Sequence, residues 1–469
     1  MIKIKFGTDG WRAIIAKDFI VENVARVAFA TGKWLSSKSE SPSIVVGHDT
    51  RFAGKLFAET AAKVFASMGI KVYISEEFVS TPMVSLGVKL LKADMGIVIT
   101  ASHNSPEYNG FKLKGKHGGP LLEEDVRDIE LMIPESNDIY LDLLKWHNFI
   151  EYGLVQYVDL ETMYYDYACQ HFDIDSIKQS KFKFAFEAMY GSGQNVFKRL
   201  FSEVPSLHCD DNPTFKGVAP EPLLRNLGEF SEFIKSQKNI DCGLAVDGDA
   251  DRIALFDGEG NYIDSHHIML LLIYYLAKIK GLDGKVVTGF SSTVKIDTLC
   301  DHLNLKVQRV KIGFKDICKV MLKENVLLGG EESGGIAIKT YLPERDGIWM
   351  GLTIWQFMVE TGKTLNELIN EVYSITGEFA FERSDLKIEE NTKKKILEKC
   401  KKAEYSSFGK YKIQRIENLD GFKYYFSETE WGMIRVSGTE PVLRTYAEAA
   451  TKEKAKDILD SIYQTIMSV

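Results

Sequence analysis

Gly96-Ile-Val-Ile-Thr-Ala-Ser-His-Asn104 is the stretch on which the reading of this chain turns. Ile97 to Ile99 are consecutive β-branched residues, the composition of a buried β-strand. Thr100 to Asn104 then break the pattern with small hydroxyls, an imidazole and a carboxamide. In open α/β sheets, chemistry collects where strands end and loops begin. Ser102 sits there, with His103 beside it and Lys112 further on in Asn109-Gly-Phe-Lys112. Ser-His-Asn alone is ordinary turn chemistry; further loops of the same kind change the balance.

Asp247-Gly-Asp-Ala-Asp-Arg252 follows a second apolar run, Cys242-Gly-Leu-Ala-Val246. In an extended loop, carboxylates at i, i+2 and i+4 point to one side and form a hard, oxygen-rich site for Mg²⁺ or Ca²⁺. The plainer reading is a polar turn with solvated carboxylates. Three anions directly after a buried strand repel one another, however, and that favours a cation between them. An EF-hand is excluded: its loop requires Gly at the sixth position and Glu at the twelfth, where this chain has Arg252 and Gly258. After a third apolar run, Val326-Leu-Leu328, comes Gly330-Glu-Glu-Ser-Gly-Gly335. Its carboxylates and hydroxyl suit the vicinal hydroxyls of a sugar, and Lys311-Ile-Gly-Phe-Lys315 adds a cation upstream.

Arg435-Val-Ser-Gly-Thr-Glu-Pro-Val-Leu-Arg444 brings two guanidinium groups, two hydroxyls and a glycine-loosened backbone, the inventory of a phosphate site. Phe6-Gly-Thr-Asp-Gly-Trp-Arg12 is a tight loop that can present backbone amides and Arg12 to an anion. Competing motifs fail. Gly362-Lys-Thr364 resembles the end of a P-loop, but the required upstream glycine is Phe357. There is no Gly-x-Ser-x-Gly elbow and no Gly-x-Gly-x-x-Gly.

Taken in order, Ile44–Gly47 as strand, Ala53–Ser67 as amphipathic helix and Lys71–Ile74 as strand make a βαβ unit in a largely parallel sheet. A second α/β set runs from Lys181–Phe186 through a glycine turn at Gly191-Ser-Gly193 to Val246. A third runs from Lys285–Thr288 through a helix starting near Val294 to Leu328. One architectural unit is thus expected three times, each time emptying an apolar strand into a polar loop. Thr364 with Glu367 makes a capping box that opens a helix, and a lysine-rich helix follows at Glu390–Lys402. Tyr411–Arg415, an Asp420-Gly421 turn, Lys423–Ser427 and Met433–Val436 read as an antiparallel meander, closed by a helix over Lys452–Ile466. The expected domains are 1–150, 151–262 and 263–374, all α/β with mixed, mostly parallel sheets, and 375–469, a smaller α+β domain.

At 469 residues the chain is too long for one hydrophobic core. Hydrophobic content of 45% and charged content of 26% are those of a soluble globular protein. A formal net charge of −8 argues against a dedicated nucleic-acid binder. Cys169, Cys209, Cys242, Cys300, Cys318 and Cys400 are scattered without a Cys-x-x-Cys pair, which suits reduced buried thiols. Met1–Phe6 alternates like a strand and lacks a signal-peptide core. Ile268–Ala277 is too short to span a membrane and reads as a core helix. A cytoplasmic protein without membrane or nucleic-acid partners is expected.

With these loops in this order, the sequence resembles the α-D-phosphohexomutase family over its whole length. The carriers are Phe-Gly-Thr-Asp-Gly-Trp-Arg at 6–12, Thr-Ala-Ser-His-Asn at 100–104, Asp-Gly-Asp-Ala-Asp-Arg at 247–252, Gly-Glu-Glu-Ser-Gly at 330–334 and Arg-Val-Ser-Gly-Thr at 435–439. The resemblance implies four domains around a central cleft, each giving one loop. It implies that Ser102 is phosphorylated, with Mg²⁺ held by Asp247, Asp249, Asp251 and the phosphate on Ser102. It places Arg12, His103, Lys112 and Arg252 around the transferring phosphoryl group, with Lys112 and His103 as candidates for the proton transfers. Glu331 and Ser333 would grip sugar hydroxyls. Arg435, Ser437, Gly438 and Thr439 would hold the phosphate that is not reacting, with Lys315 and Arg444 as further substrate-binding cations.

Two features depart from or refine the family pattern. Ser105 stands where the family usually has proline, with Pro106 next. Gly313-Phe-Lys315 and Glu332-Ser-Gly-Gly335 look like the glucose-preferring branch. The resemblance therefore implies interconversion of glucose 1-phosphate and glucose 6-phosphate through a phosphoserine and glucose 1,6-bisphosphate, in a monomer or homodimer. A phosphomannomutase or dual-specificity enzyme is the alternative, and a phosphoglucosamine mutase the next. A Mg²⁺-dependent sugar phosphatase and a non-catalytic sugar-phosphate sensor are the rivals of other classes.

Overall fold

In the computed structural model, which describes residues 2–436 and 442–468, three sheets share one four-strand plan. In the first, Ser43–His48 pairs in parallel with Lys71–Ile74 and with Met95–Ile99, which then pairs antiparallel with Tyr108–Gly115. In the second, Phe184–Glu187 pairs in parallel with Ser206–Leu207 and Cys242–Val246, and the latter runs antiparallel to Ile253–Asp257. In the third, Lys285–Gly289 lies between Val307–Val310 and Val326–Gly330, with Ile336–Ile338 antiparallel beyond. Counted along the chain within each unit, the spatial order is second, first, third, fourth every time.

The sequence dictates this plan through the third strand of each unit. Every residue of Met95–Ile99, Cys242–Val246 and Val326–Gly330 is buried. Strands covered on both faces read as continuous apolar runs rather than alternating ones. Each large aliphatic side chain so buried contributes about 1.5–3 kcal/mol relative to exposure. The connection from the third strand to the antiparallel fourth then carries, in turn, Thr100–Asn104, Asp247–Arg252 and Glu331–Gly335. A repeated topology explains why three unrelated sequences end up at equivalent places.

The first sheet extends further than expected. Trp11–Ile14 adds antiparallel to Tyr108–Gly115, and Val155–Tyr157 adds parallel to Lys71–Ile74. The division expected at residue 150 therefore falls too early. Val72 N–H donates to Leu154 O at 2.7 Å, and Val155 packs in the apolar core of that sheet. The fourth sheet is antiparallel, in the order Ala380–Leu386, Leu443–Ala449, Trp431–Val436, Phe422–Tyr425 and Arg415–Glu417. Ala380–Leu386 is absent from the expected meander, because its short, charged sequence has no apolar alternation. The expected strand Tyr411–Arg415 is split: Tyr411–Lys412 turns back on Ser407–Phe408 through Gly409 at φ 53°, and Arg415 starts the next strand. The capping box of Thr364 and Glu367 is present, opening Leu365–Thr376.

One apolar core runs through the first three units, taking in Val45 and Val98, Phe186 and Leu244, and Leu328 and Trp355. The fourth domain has its own core around Phe408, Tyr424, Ile458 and Ile462. Among the described residues, no helix is long and apolar enough to cross a membrane.

Candidate active site

Ser102 is buried and sits in the left-handed region at φ 53°, which costs a side-chain-bearing residue free energy unless its surroundings enforce it. They do. Ser102 N–H donates to Thr100 Oγ1 at 2.8 Å, and the Thr100 hydroxyl donates to Asp49 Oδ2 at 2.5 Å. Arg51, paired with Asp49 at 3.3 Å, donates to the carbonyls of Ser102, Asn104, Ser105 and Tyr108 at 2.5–3.0 Å. One buried guanidinium thus fixes the whole loop. Neither Asp49 nor Arg51 is among the sequence candidates. The signal was present, since His48-Asp-Thr-Arg51 also follows an apolar strand, but it forms no recognisable motif.

The Ser102 hydroxyl donates to Asp247 Oδ2 at 2.8 Å, joining the first unit to the second. Gly248 makes the approach possible, because a Cβ there would lie 2.7 Å from Ser102 O. Asp247, Asp249 and Asp251 are fully buried, with one oxygen of each within 4.8 Å of the others. Their run is a turn rather than the extended loop expected. Ala250 has φ 56° and its N–H donates to Asp247 O at 3.0 Å, so a tight turn brings the carboxylates together. Burial, with repulsion from Asp249 and Asp251, pushes the Asp247 carboxyl well above the usual range. Asp249 Oδ1 and Asp251 Oδ1 are buried without a hydrogen-bond partner. Orphaned carboxylate oxygens in a convergent acidic cluster fit a small hard divalent cation.

Lys112 Nζ lies in the same place, at 2.7 Å from Asp249, 2.9 Å from Asp251 and 2.8 Å from Asp9. Burial works to lower its pKa, but these carboxylates outweigh it and hold the ammonium charged. Arg345, from the third unit, reaches Asp9 at 2.6 Å and Asp251 at 2.7 Å. Nearby Lys114 meets Glu344 at 2.5 Å, and Ser85 donates to the same carboxylate at 2.8 Å. Asp249 also accepts from Thr81 at 2.5 Å. Asp9, Thr81, Glu344 and Arg345 complete the network and are not among the sequence candidates; Asp9 lies in the Phe6–Arg12 loop, and the other three find partners in another unit.

Arg12 donates to Asn104 Oδ1 at 2.5 Å and lies 3.9 Å from Asp9. His103 Nδ1 is 3.3 Å from Ser102 Oγ, and its Nε2 is 3.5 Å from Arg252. Burial, then the charges of Arg252, Arg12, Lys112 and Arg51, hold the imidazole well below its usual pKa and hence neutral. Arg252 also faces Glu221 at 3.6 Å and Asp247 at 3.9 Å. The expected catalytic and metal residues therefore meet at one point beside Ser102, with cations and carboxylates paired among themselves.

The substrate-binding candidates lie on the third and fourth domains. Glu331 is buried, accepts from Gly313 N–H at 2.7 Å, and is pushed by burial up to about 7. Ser333 is half-buried on the same loop. Lys315 Nζ reaches Gly7 O at 3.5 Å, and burial lowers its pKa. Arg435 bonds to Asp420 at 3.1 Å and Arg444 to Asp385 at 3.2 Å. Ser437, Gly438 and Thr439 lie outside the described residues.

Comparison with known proteins covers all four domains. Residues 3–138, 162–260 and 264–375 match the phosphoglucomutase/phosphomannomutase alpha/beta/alpha domains I, II and III, and residues 386–465 match the C-terminal domain IV. A phosphoglucomutase/phosphomannomutase of Thermococcus kodakarensis is 30% identical over 460 residues, 97% of this chain and 96% of the relative. A phosphoglucosamine mutase of Limosilactobacillus reuteri is 32% identical over 487 residues, 98% of each chain. A crystal structure from Thermus thermophilus, provisionally described as a phosphomannomutase, superposes with a TM-score of 0.87 at 31% identity, covering 99% of both chains.

Proposed function

The chain belongs to the phosphoglucomutase/phosphomannomutase family, and from that premise we propose that it interconverts hexose 1-phosphates and hexose 6-phosphates through a phosphorylated Ser102. The observation that carries the reading is the buried Ser102 hydroxyl, hydrogen-bonded to Asp247 beside two carboxylate oxygens without partners. Glucose and mannose 1-phosphates are both proposed as substrates. The glucose preference read from Gly313-Phe-Lys315 is broadened because relatives at about the same identity carry phosphomannomutase and phosphoglucosamine mutase names.

Phosphoryl transfer needs positioning and charge neutralisation more than covalent machinery. Asp247, Asp249 and Asp251 would hold Mg²⁺, which when bound supplies charge withdrawal from the phosphate on Ser102. The chain's own residues do the rest. Arg12 and Arg252 face the phosphoryl oxygens. Lys112, whose ammonium form Asp249, Asp251 and Asp9 favour, contributes positive charge. Neutral His103, beside Ser102 Oγ, takes the proton of the sugar 6-hydroxyl as the P–Oγ bond breaks and the P–O6 bond forms. The hexose 1,6-bisphosphate turns within the cleft. The P–O1 bond then breaks, P–Oγ re-forms, and His103 returns the proton to O1. The phosphate that is not reacting rests on Arg435 and Arg444, and Glu331 and Ser333 hold ring hydroxyls. A cytoplasmic location goes with this reading.

Coupled assays with glucose, mannose and glucosamine 1-phosphates, each with Mg²⁺ and a trace of bisphosphate, test it. Formation of 6-phosphate from glucose and mannose substrates, lost on chelation, is expected. Release of inorganic phosphate in place of isomerisation would replace the mutase reading with a phosphatase.

A further inference from the structure

Asp385 and Asp420 of the fourth domain take no part in the mechanism above, yet both stand between a phosphate-binding arginine and the sugar-binding loop. Arg435 and Arg444 face each other across Trp431–Val436 and Leu443–Ala449. Like charges directly opposite on paired strands repel, and each arginine is steadied by one of these aspartates.

Asp420 Oδ2 accepts from Arg435 Nε at 3.1 Å and, with the same oxygen, from Ile312 N–H of the third domain at 2.9 Å. The next residue, Gly313, donates its N–H to Glu331 Oε1 at 2.7 Å. Asp385 pairs across the sheet with Arg444, at 3.2 Å between Oδ1 and Nε. It also takes Nε and Nη2 of Arg383 at 3.1 and 2.8 Å, and Arg383 Nη1 lies 3.8 Å from Glu332 Oε1. Two routes result. One runs Arg435, Asp420, the 312–313 backbone, Glu331; the other runs Arg444, Asp385, Arg383, Glu332. They start on the two arginines of the phosphate loop and end on adjacent glutamates of the sugar loop. Arg383, Asp385 and Glu332 line an open cavity of about 1170 Å³, so the second route borders open space rather than packed core.

We propose that Asp385 and Asp420 are positioning residues that couple phosphate capture by the fourth domain to the set of Glu331 and Glu332 toward the sugar hydroxyls. This rests on the mutase reading. A phosphate on Arg435 and Arg444 competes for the guanidinium charge that the two aspartates otherwise share. The aspartates then bear more strongly on Ile312 N–H and on Arg383, and through them on the two glutamates. The coupling is reciprocal: a seated sugar strengthens the hold on phosphate. An enzyme that presents both ends of a bisphosphate in turn gains from such a link, since the sugar loop is set only when a phosphate is in place.

Asp385→Asn and Asp420→Asn test it, with kcat/KM measured for glucose 1-phosphate and for deoxyglucose 1-phosphates that each lack one ring hydroxyl. Inhibition by inorganic phosphate is measured in parallel. The discrimination of the native enzyme against the deoxy sugars is expected to fall about threefold or more in both variants. In a Glu332→Gln background, Asp385→Asn is expected to change it no further. Arg383→Met, which removes the link between Asp385 and Glu332 at the cavity wall, tests the second route should Asp385→Asn fail to fold, with the same fall in discrimination expected. Equal weakening of inorganic phosphate and every sugar phosphate, with discrimination unchanged, would overturn the coupling and leave the mutase reading standing. A native enzyme that turns over no hexose phosphate would remove the reading itself.

Discussion

The transfer centre and the recognition end are built differently. Around Ser102, charges are buried and hydrogen-bonded across three units that share one continuous apolar core. The fourth domain carries its arginines on an antiparallel sheet with its own core. It meets the third domain through a separate apolar cluster of Phe290, Tyr425, Trp431, Met433 and Tyr446. Water-excluded, pre-oriented charge is where electrostatic stabilisation of a transition state is most effective. A separately cored domain that carries half of the recognition groups can move while the transfer centre stays fixed. Chemistry and recognition are thus assigned to parts of different rigidity.

The contrast is sharpest between two arginines. Removing Arg51 strips four carbonyls and Asp49 of a buried partner. Arg51→Met is therefore expected to lower stability by about 3–5 kcal/mol. Misplacing Ser102 should cut kcat by about 100-fold or more. Arg435→Met, at the recognition end, should leave the melting temperature nearly unchanged and act through KM. Urea unfolding and steady-state kinetics on both variants check this; a stable Arg51→Met with normal kcat would break the distinction.

A smaller effect concerns Glu331. Burial raises its carboxyl to about 7, above the usual glutamate value, so the native state binds the proton more tightly than the unfolded chain. Stability from that proton is fully present at acid pH and is lost as pH rises through about 7. The stability of the native chain relative to Glu331→Gln should therefore fall by about 3 kcal/mol from pH 4 to pH 8. Other raised carboxyls, such as Asp49 and Asp346, cancel in that difference. Parallel stability curves would contradict the raised Glu331 pKa.

Much of the site was legible because its residues are clustered in the chain. Ser102 and His103, the Asp247–Asp251 triad and Glu331 each follow an apolar strand, and a repeated topology carries them to equivalent positions. The bracing groups were not legible. Arg51 acts on the backbone of residues distant in sequence, and Arg345 pairs with Asp9 and Asp251 from other units. Such partners are set by how the units pack, which no local pattern encodes. The triad itself was read correctly as convergent, though it converges through a turn at Ala250 rather than through extended backbone. Ala380–Leu386 was missed because its neighbours in the sheet, not its own alternation, make it a strand.

Phosphate transfer to Ser102 is the most direct test of the central claim. The protein would be incubated with Mg²⁺ and hexose 1,6-bisphosphate labelled in its phosphates, and the label mapped by peptide mass spectrometry. A single labelled residue, Ser102, is expected, with the label chased onto hexose phosphate when unlabelled hexose 1-phosphate is added, and none taken up by Ser102→Ala. Label on another residue, or undiminished isomerisation by Ser102→Ala, would contradict it.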